Sequence, residues 1–84
     1  MAGPFHLDPQ QTQSGIPTSG SGKQTKILVT NTTVTVGCIR MRAGSSAPEE
    51  NEIFPGTIEL DRNFGGAPLT VTNLGPVALT VSTQ

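Results

Sequence analysis

Ile27-Leu28-Val29-Thr30-Asn31-Thr32-Thr33 and Leu69-Thr70-Val71-Thr72-Asn73-Leu74-Gly75 nearly repeat each other, and each runs into a second strand-like segment. Each copy opens on aliphatic and β-branched residues, reaches a shared Val-Thr-Asn, and turns soon after. β-branched side chains fit a pleated surface and Asn tolerates turn backbone angles, so both stretches read as β-hairpins. Further strands follow on either side. Residues 26–30 lead to a turn at Asn31-Thr32, and residues 33–42 form a longer strand with Val34, Val36 and Cys38 on one face. Gly37 within it predicts a bulge that rotates Ile39 and Met41 inward. Residues 43–51 read as an acidic loop, and residues 57–61 alternate Ile58 and Leu60 with polar residues. Residues 69–73 and 77–82 read as the closing hairpin, with Leu69, Val71, Val77, Leu79 and Val81 facing inward. No helical period of useful length occurs. Short alternating strands separated by Gly, Pro and Asn predict an all-β fold, a small antiparallel β-sandwich or barrel made of two hairpins packed face to face.

Ahead of this pattern the chain changes character. Residues 1–25 are mainly Gly, Pro, Ser, Thr and Gln, and Ser19-Gly20-Ser21-Gly22 reads as a link. The expected organisation is an extended N-terminal arm over 1–25 and a β-sandwich domain over 26–84. Phe5, Leu7 and Ile16 are the arm's sizeable apolar side chains. They are its expected anchors on a protein partner, because an arm of this composition gains order only through contacts with a neighbour.

With 84 residues the chain holds one domain, and its single cysteine rules out an internal disulfide. A module this small is commonly completed by association. The formal charge of −1, from five basic and six acidic residues, lacks the dense cationic face that phosphate backbones require. Three Phe with no Tyr or Trp supply little to stack on bases or sugars. The first residues carry neither a basic nor an apolar signal region, and no apolar run approaches a membrane span. Synthesis in a cytoplasm, with no membrane and no nucleic acid as partner, is the expectation.

No constellation points to catalysis. His6 and Asp8 stand two apart but lack a third ligand, and Glu49, Glu50 and Glu52 lack the ladder of a calcium loop. Cys38, mid-strand, reads as a core residue and not as a nucleophile. Arg40 and Arg42 share a strand face and read as partners for Glu59 or the acidic loop. Asn31-Thr32-Thr33 fits a glycosylation acceptor, but without an export signal it reads as a turn. The threonines at 30, 33, 35, 57, 70, 72 and 80 are mostly outward positions and read either as a plain solvent-facing sheet surface or as a face or edge to be covered by a neighbouring subunit. Neither catalytic nor metal-ligating residues are assigned, and no cofactor is expected.

A charge-poor β-module with Thr-rich strands, Val-Thr-Asn hairpins at 29–31 and 71–73 and a polar arm over 1–25 resembles the small capsid decoration, or cement, proteins of tailed bacteriophages. The resemblance implies a virion structural protein on the outside of a capsid, clamping adjacent major capsid protein subunits and self-associating as a trimer or dimer. The arm would then lie along the shell and add a strand to it. A phage head-fibre or tail-associated host-binding β-domain is the alternative it implies.

Overall fold

The structure, a computed structural model, describes residues 2–20 and 22–83. Met1 and Ser21 of the expected arm and Gln84 of the expected domain lie outside the described residues. Eight strands follow one another: β1 (Ala2–Leu7), β2 (Thr12–Ile16), β3 (Thr25–Asn31), β4 (Gly37–Ala43), β5 (Glu49–Ile53), β6 (Gly56–Arg62), β7 (Leu69–Gly75) and β8 (Leu79–Thr83). They form two four-stranded sheets, in the orders β1-β8-β3-β6 and β2-β7-β4-β5, with every pairing antiparallel. The all-β antiparallel class expected from the alternation is what the chain adopts.

The alternation is sharpest where the sequence pattern is clearest. In β3, Thr25, Ile27, Val29 and Asn31 are buried while Lys26, Leu28 and Thr30 are half-buried on the other face. β7 does the same with Leu69, Val71, Asn73 and Gly75. The first sheet contributes Leu7, Leu79, Val81, Ile27 and Val29 to the core, and the second contributes Ile16, Leu69, Val71, Ile39, Met41 and Ile53. A period of two puts each set on one face of its sheet, so burying that face fixes the register.

The architecture departs from the expectation at several points. The extended arm over 1–25 is absent as such: β1 pairs with β8 and β2 with β7, one in each sheet. Leu7 and Ile16 are 3% and 1% exposed inside the sandwich, and Phe5 packs against the same core. Hydrophobic burial outweighs a tail-like composition when the few apolar residues fall at inward positions of paired strands. The hairpins are the second departure. β3 and β4 lie in different sheets, as do β7 and β8, so each Val-Thr-Asn marks a passage between sheets and not a turn within one. Third, β5 occupies part of the expected acidic loop, held by β4 through Arg40↔Glu50 and four neighbouring pairs. The strand expected over 33–42 begins at Gly37, which leaves Val34 and Val36 in the preceding passage and exposed. Its bulge falls between Cys38 and Ile39, so Ile39 and Met41 face inward as expected, while Cys38 lies half-buried on the outer face with Arg40 and Arg42.

The near-repeat has a structural meaning. Written as β1-β8-β3-β6 and β5-β4-β7-β2, the two sheets match strand for strand if β3-β4-β5-β6 is equated with β7-β8-β1-β2. The molecule is thus a circularly permuted internal duplication, with β8 and β1 standing where the β4–β5 hairpin stands in the other half. Asn31 and Asn73 occupy equivalent sites at the sheet-to-sheet passages, 2% and 0% exposed. Each accepts a hydrogen bond from the backbone N–H two residues on, Thr33 or Gly75. Each donates from Nδ2 to the carbonyl four residues on, Thr35 or Val77. Each also donates to the last carbonyl of a strand in the opposite sheet, Ile53 of β5 or Leu7 of β1. The equivalence extends outward: Ile53-Phe54-Pro55-Gly56 matches Leu7-Asp8-Pro9-Gln10, and Gly56 and Gln10 both adopt positive φ, at 110° and 72°.

Candidate functional site: the open edge of β6

Four strands are sheet edges: β1 and β6 in the first sheet, β2 and β5 in the second. An edge leaves backbone N–H and C=O groups free to pair with another chain, and natural proteins interrupt or charge such edges. β1 is interrupted by a register shift between Ala2 and Phe5, where Pro4 supplies no N–H. β2 shifts register between Gln13 and Ile16. β5 is short and carries Glu49, Glu50 and Glu52. β6 also carries charges, Glu59, Asp61 and Arg62, but it is longer than β5 and free of the register shifts of β1 and β2. Its seven residues pair with β3 in unbroken register from Gly56↔Asn31 to Arg62↔Thr25.

The inward side of β6 places Ile58 and Leu60 partly buried against the core, at the open side between the two sheets. Arg62 closes one end of that side. Its guanidinium grips Glu49 of β5 in the opposite sheet, with Nε 3.0 Å from Oε1 and Nη2 2.6 Å from Oε2. Asn51 donates to the same carboxylate at 2.9 Å. The hydrogen bonds from Arg62 and then Asn51 hold the Glu49 carboxyl below the usual carboxylate range, and Glu49 in turn raises Arg62. At the other end stands Phe54, 55% exposed, on the passage from β5 to β6. Asn31 ties that passage to the one from β3 to β4, since its Nδ2 lies 3.0 Å from the Ile53 carbonyl and 2.8 Å from that of Thr35. Val34, 96% exposed, and Val36 flank Thr35. Val34, Val36 and Phe54, the exposed large apolar side chains among the described residues, all lie on the two passages that Asn31 ties together.

The outer faces are orderly and nearly neutral. Thr30 and Thr57 touch through their hydroxyls at 3.2 Å on the first sheet, and the equivalent Thr72 and Thr12 do so at 3.0 Å on the second. Lys26 pairs with Glu59 at 2.8 Å, which raises the lysine, and Arg40 pairs with Glu50 at 2.8 Å as the sequence led one to expect. Arg42 instead donates to the carbonyl of Ser46. Of the threonines singled out in the sequence, those at 30, 57, 70, 72 and 80 lie on strands, whereas Thr33 and Thr35 lie on the passage from β3 to β4.

The sequence-derived anchors do not form a partner site. Phe5, Leu7 and Ile16 pack against the molecule's own core. His6 and Asp8 meet at 3.4 Å on the surface, and no group of three or more candidate metal ligands occurs among the described residues. Cys38 lies on the outer face of the second sheet and His6 on that of the first, so the two share no site. Burial, followed by the charges of Glu50 and Glu52, pushes the Cys38 thiol up, away from the thiolate a nucleophile needs.

Comparison with known proteins bears on the N-terminal strands. The pattern of a family of unknown function, DUF8244, matches residues 5–84. The chain belongs to the DUF8244 family. Two uncharacterized proteins of Dictyostelium discoideum are each 39% identical to it over 83 residues, covering 99% of both chains. No solved structure matches. The DUF8244 match begins within β1, so the family's unit includes both strands that the composition set apart as an arm.

Proposed function

We propose that this DUF8244 protein is a non-catalytic structural module that associates with further copies of itself by pairing β6 edges. The carrying observation is the unbroken seven-residue ladder of β6, with Ile58 and Leu60 half-covered beside it. Two β6 strands running antiparallel extend both first sheets into one. The charges select the register. Centring the pair on Glu59 would set that carboxylate against its own copy, which destabilises a pair of strands. Centring on Ile58 places Ile58 against Ile58, and Thr57 against the second copy's Glu59. In the capsid-cement role implied by the resemblance the arm would lie along a shell, whereas residues 2–7 and 12–16 are strands of the sandwich. What this proposal keeps from it is self-association and assembly through added strands, now at β6.

Sedimentation equilibrium of the full chain from micromolar to millimolar concentration tests the reading. Wild type is expected to dimerise across this range. Ile58→Lys puts a charge on the inward side of the edge, where the long side chain can still reach solvent, and is expected to remain monomeric through the micromolar range in which wild type already dimerises. Thr80→Lys, on the same sheet but on an interior strand, is the control and should dimerise like wild type. Amide hydrogen exchange gives a second readout, with β6 protection rising on concentration. A wild type that stays monomeric at millimolar concentration, or a dimer indifferent to Ile58→Lys, overturns the proposal.

A further inference from the structure

Opposite the β6 side, β1 and β2 form the other pair of edges. β1 pairs with β8 and β2 with β7, and β1 also touches β2. Residues 17–24 are their covalent link to β3. The equivalent strands β5 and β6 are joined to β4 by residues 44–48 and to β7 by residues 63–68. β1 and β2 thus form one two-strand clamp, laid over the strands of the second Val-Thr-Asn copy. Its fixed points are local. The Gln10 N–H donates to the Asn73 carbonyl at 2.7 Å, the Asn73 N–H to the Gln11 carbonyl at 2.9 Å, and the Asn73 side chain to the Leu7 carbonyl at 2.9 Å. Leu7 and Ile16 fill core positions beside Leu79 and Leu69, the residues opposite them in register. Among the described residues of the link, Thr18 Oγ1 donates to the Ala67 carbonyl at 2.6 Å, the Ser19 N–H to Thr25 Oγ1 at 2.8 Å and the Lys23 N–H to the Gly20 carbonyl at 3.1 Å.

From these contacts we infer that residues 2–16 are an exchangeable clamp, able to leave their own sandwich and dock on β7 and β8 of a second copy while that copy's clamp docks here. Every docking contact just named reforms unchanged in the exchanged pair. The difference between closed monomer and exchanged dimer therefore lies in the link. A short flexible link gives the clamp an effective concentration of about millimolar at its own site, so exchange prevails above that concentration or when the link is too short to close. The geometry sets the limit. β3 lies two strands in from β1, and β2 edges the facing sheet on that side. Two strand spacings and one sheet spacing put β2 and β3 about 14 Å apart. Deleting residues 19–23 leaves four Cα–Cα steps between Ile16 and Thr25, a reach of about 13–14 Å with no slack. This inference uses the side of the molecule away from β6 and stands or falls separately from the β6 pairing.

The test uses full-length chain with Cys38→Ser, Ile58→Lys to remove β6 pairing, and His6→Cys with Thr80→Cys. Residues 6 and 80 are register partners on β1 and β8, at a separation that an antiparallel pair can bridge by a disulfide. A closed monomer seals this disulfide within one chain, and an exchanged dimer seals it between two. Refolding and oxidation at rising concentration should give covalent dimer on a non-reducing gel, as a minor fraction at micromolar and the major one above millimolar. Deleting residues 19–23 should make dimer dominant already at micromolar concentration. Light scattering on the same Ile58→Lys chain without the added cysteines, with and without the deletion, reads the exchange independently of disulfide yield. Monomer in both assays, at every concentration and in the shortened chain, overturns the inference.

Discussion

Asn73→Ala is the most informative single change in this molecule. The side chain is 0% exposed and holds three backbone groups: the Leu7 carbonyl at 2.9 Å, the Val77 carbonyl at 2.8 Å and the Gly75 N–H at 2.8 Å. The bonds to Leu7 and Gly75 are buried, whereas the one to Val77 is only partly so and can pass to water. Stranding a buried polar group costs about 1–3 kcal/mol, so the two buried losses together cost about 2–6 kcal/mol. For a domain whose whole stability is about 5–15 kcal/mol, that is a large share. Asn31→Ala is the matched control. It removes the same three kinds of bond and a fourth, accepted from the Thr33 hydroxyl at 2.6 Å, but only the one to Ile53 is fully buried and the others can pass to water, so the loss expected is about 1–3 kcal/mol. Urea denaturation at constant slope should therefore order the midpoints as wild type, Asn31→Ala, Asn73→Ala. Thermal melts should fall by about 8 °C or more for Asn73→Ala, given about 4–8 °C per kcal/mol at this size. Equal losses under about 0.5 kcal/mol at both sites, the level of ordinary surface substitutions, would refute the claim that these asparagines pin the two sheets together.

Two further outcomes follow from the geometry. Glu49 is held ionised by Arg62 and Asn51, with its folded pKa below the unfolded one. Its contribution to stability is present above the usual carboxylate range and disappears as pH falls through the folded value, so Glu49→Gln should flatten the decline in melting temperature between neutral pH and about pH 3. An acid limb unchanged by Glu49→Gln would show that other carboxylates govern it. The internal duplication predicts that a permutant joining β8 to β1 by a short loop, and opened within residues 44–48, folds to the same two sheets, because those positions are equivalent. A permutant opened at Phe54-Pro55 separates β5 from β6 beside the Asn31 hydrogen bonds and should be markedly less stable in the same denaturation assay.

What could be read from the residues alone depended on whether burial left a period in them. β3 and β7 announce themselves because aliphatic residues alternate with threonine on strands with one buried face. β5 does not, since Glu49-Glu50-Asn51-Glu52 offers no apolar side chain before Ile53; β4 holds it, with Arg40 bridging to Glu50. β1 and β2 are equally quiet, because only Phe5, Leu7 and Ile16 among their residues carry the inward pattern. The inward side of Ile58 and Leu60 was legible from alternation, but the edge position of β6 was not, because strand order depends on how distant segments pair. The buried asparagines had a signal in plain view. A turn residue needs no repeated context, yet both copies of Asn follow Val-Thr, and an apolar-x-Pro step recurs at Leu7-Asp8-Pro9 and Ile53-Phe54-Pro55. Two matching corners in one short chain mark a duplicated passage between sheets.

The two proposed contacts together dictate a form of assembly. Pairing of β6 with β6 is isologous, each copy offering the same strand, and so is clamp exchange between β1–β2 and β7–β8. Each contact alone closes a dimer and stops. They occupy opposite sides of the sandwich, so a copy can make both at once, and two distinct two-fold contacts per copy generate an open chain of molecules and no closed ring unless their axes happen to meet. Growth then depends on the weaker contact, while the stronger sets the repeating unit. Removing β6 pairing with Ile58→Lys should leave dimers and nothing larger in the chain lacking residues 19–23, whereas that deletion alone should give species that lengthen with concentration. The slope of mass against concentration for those two chains therefore reads both interfaces from one measurement.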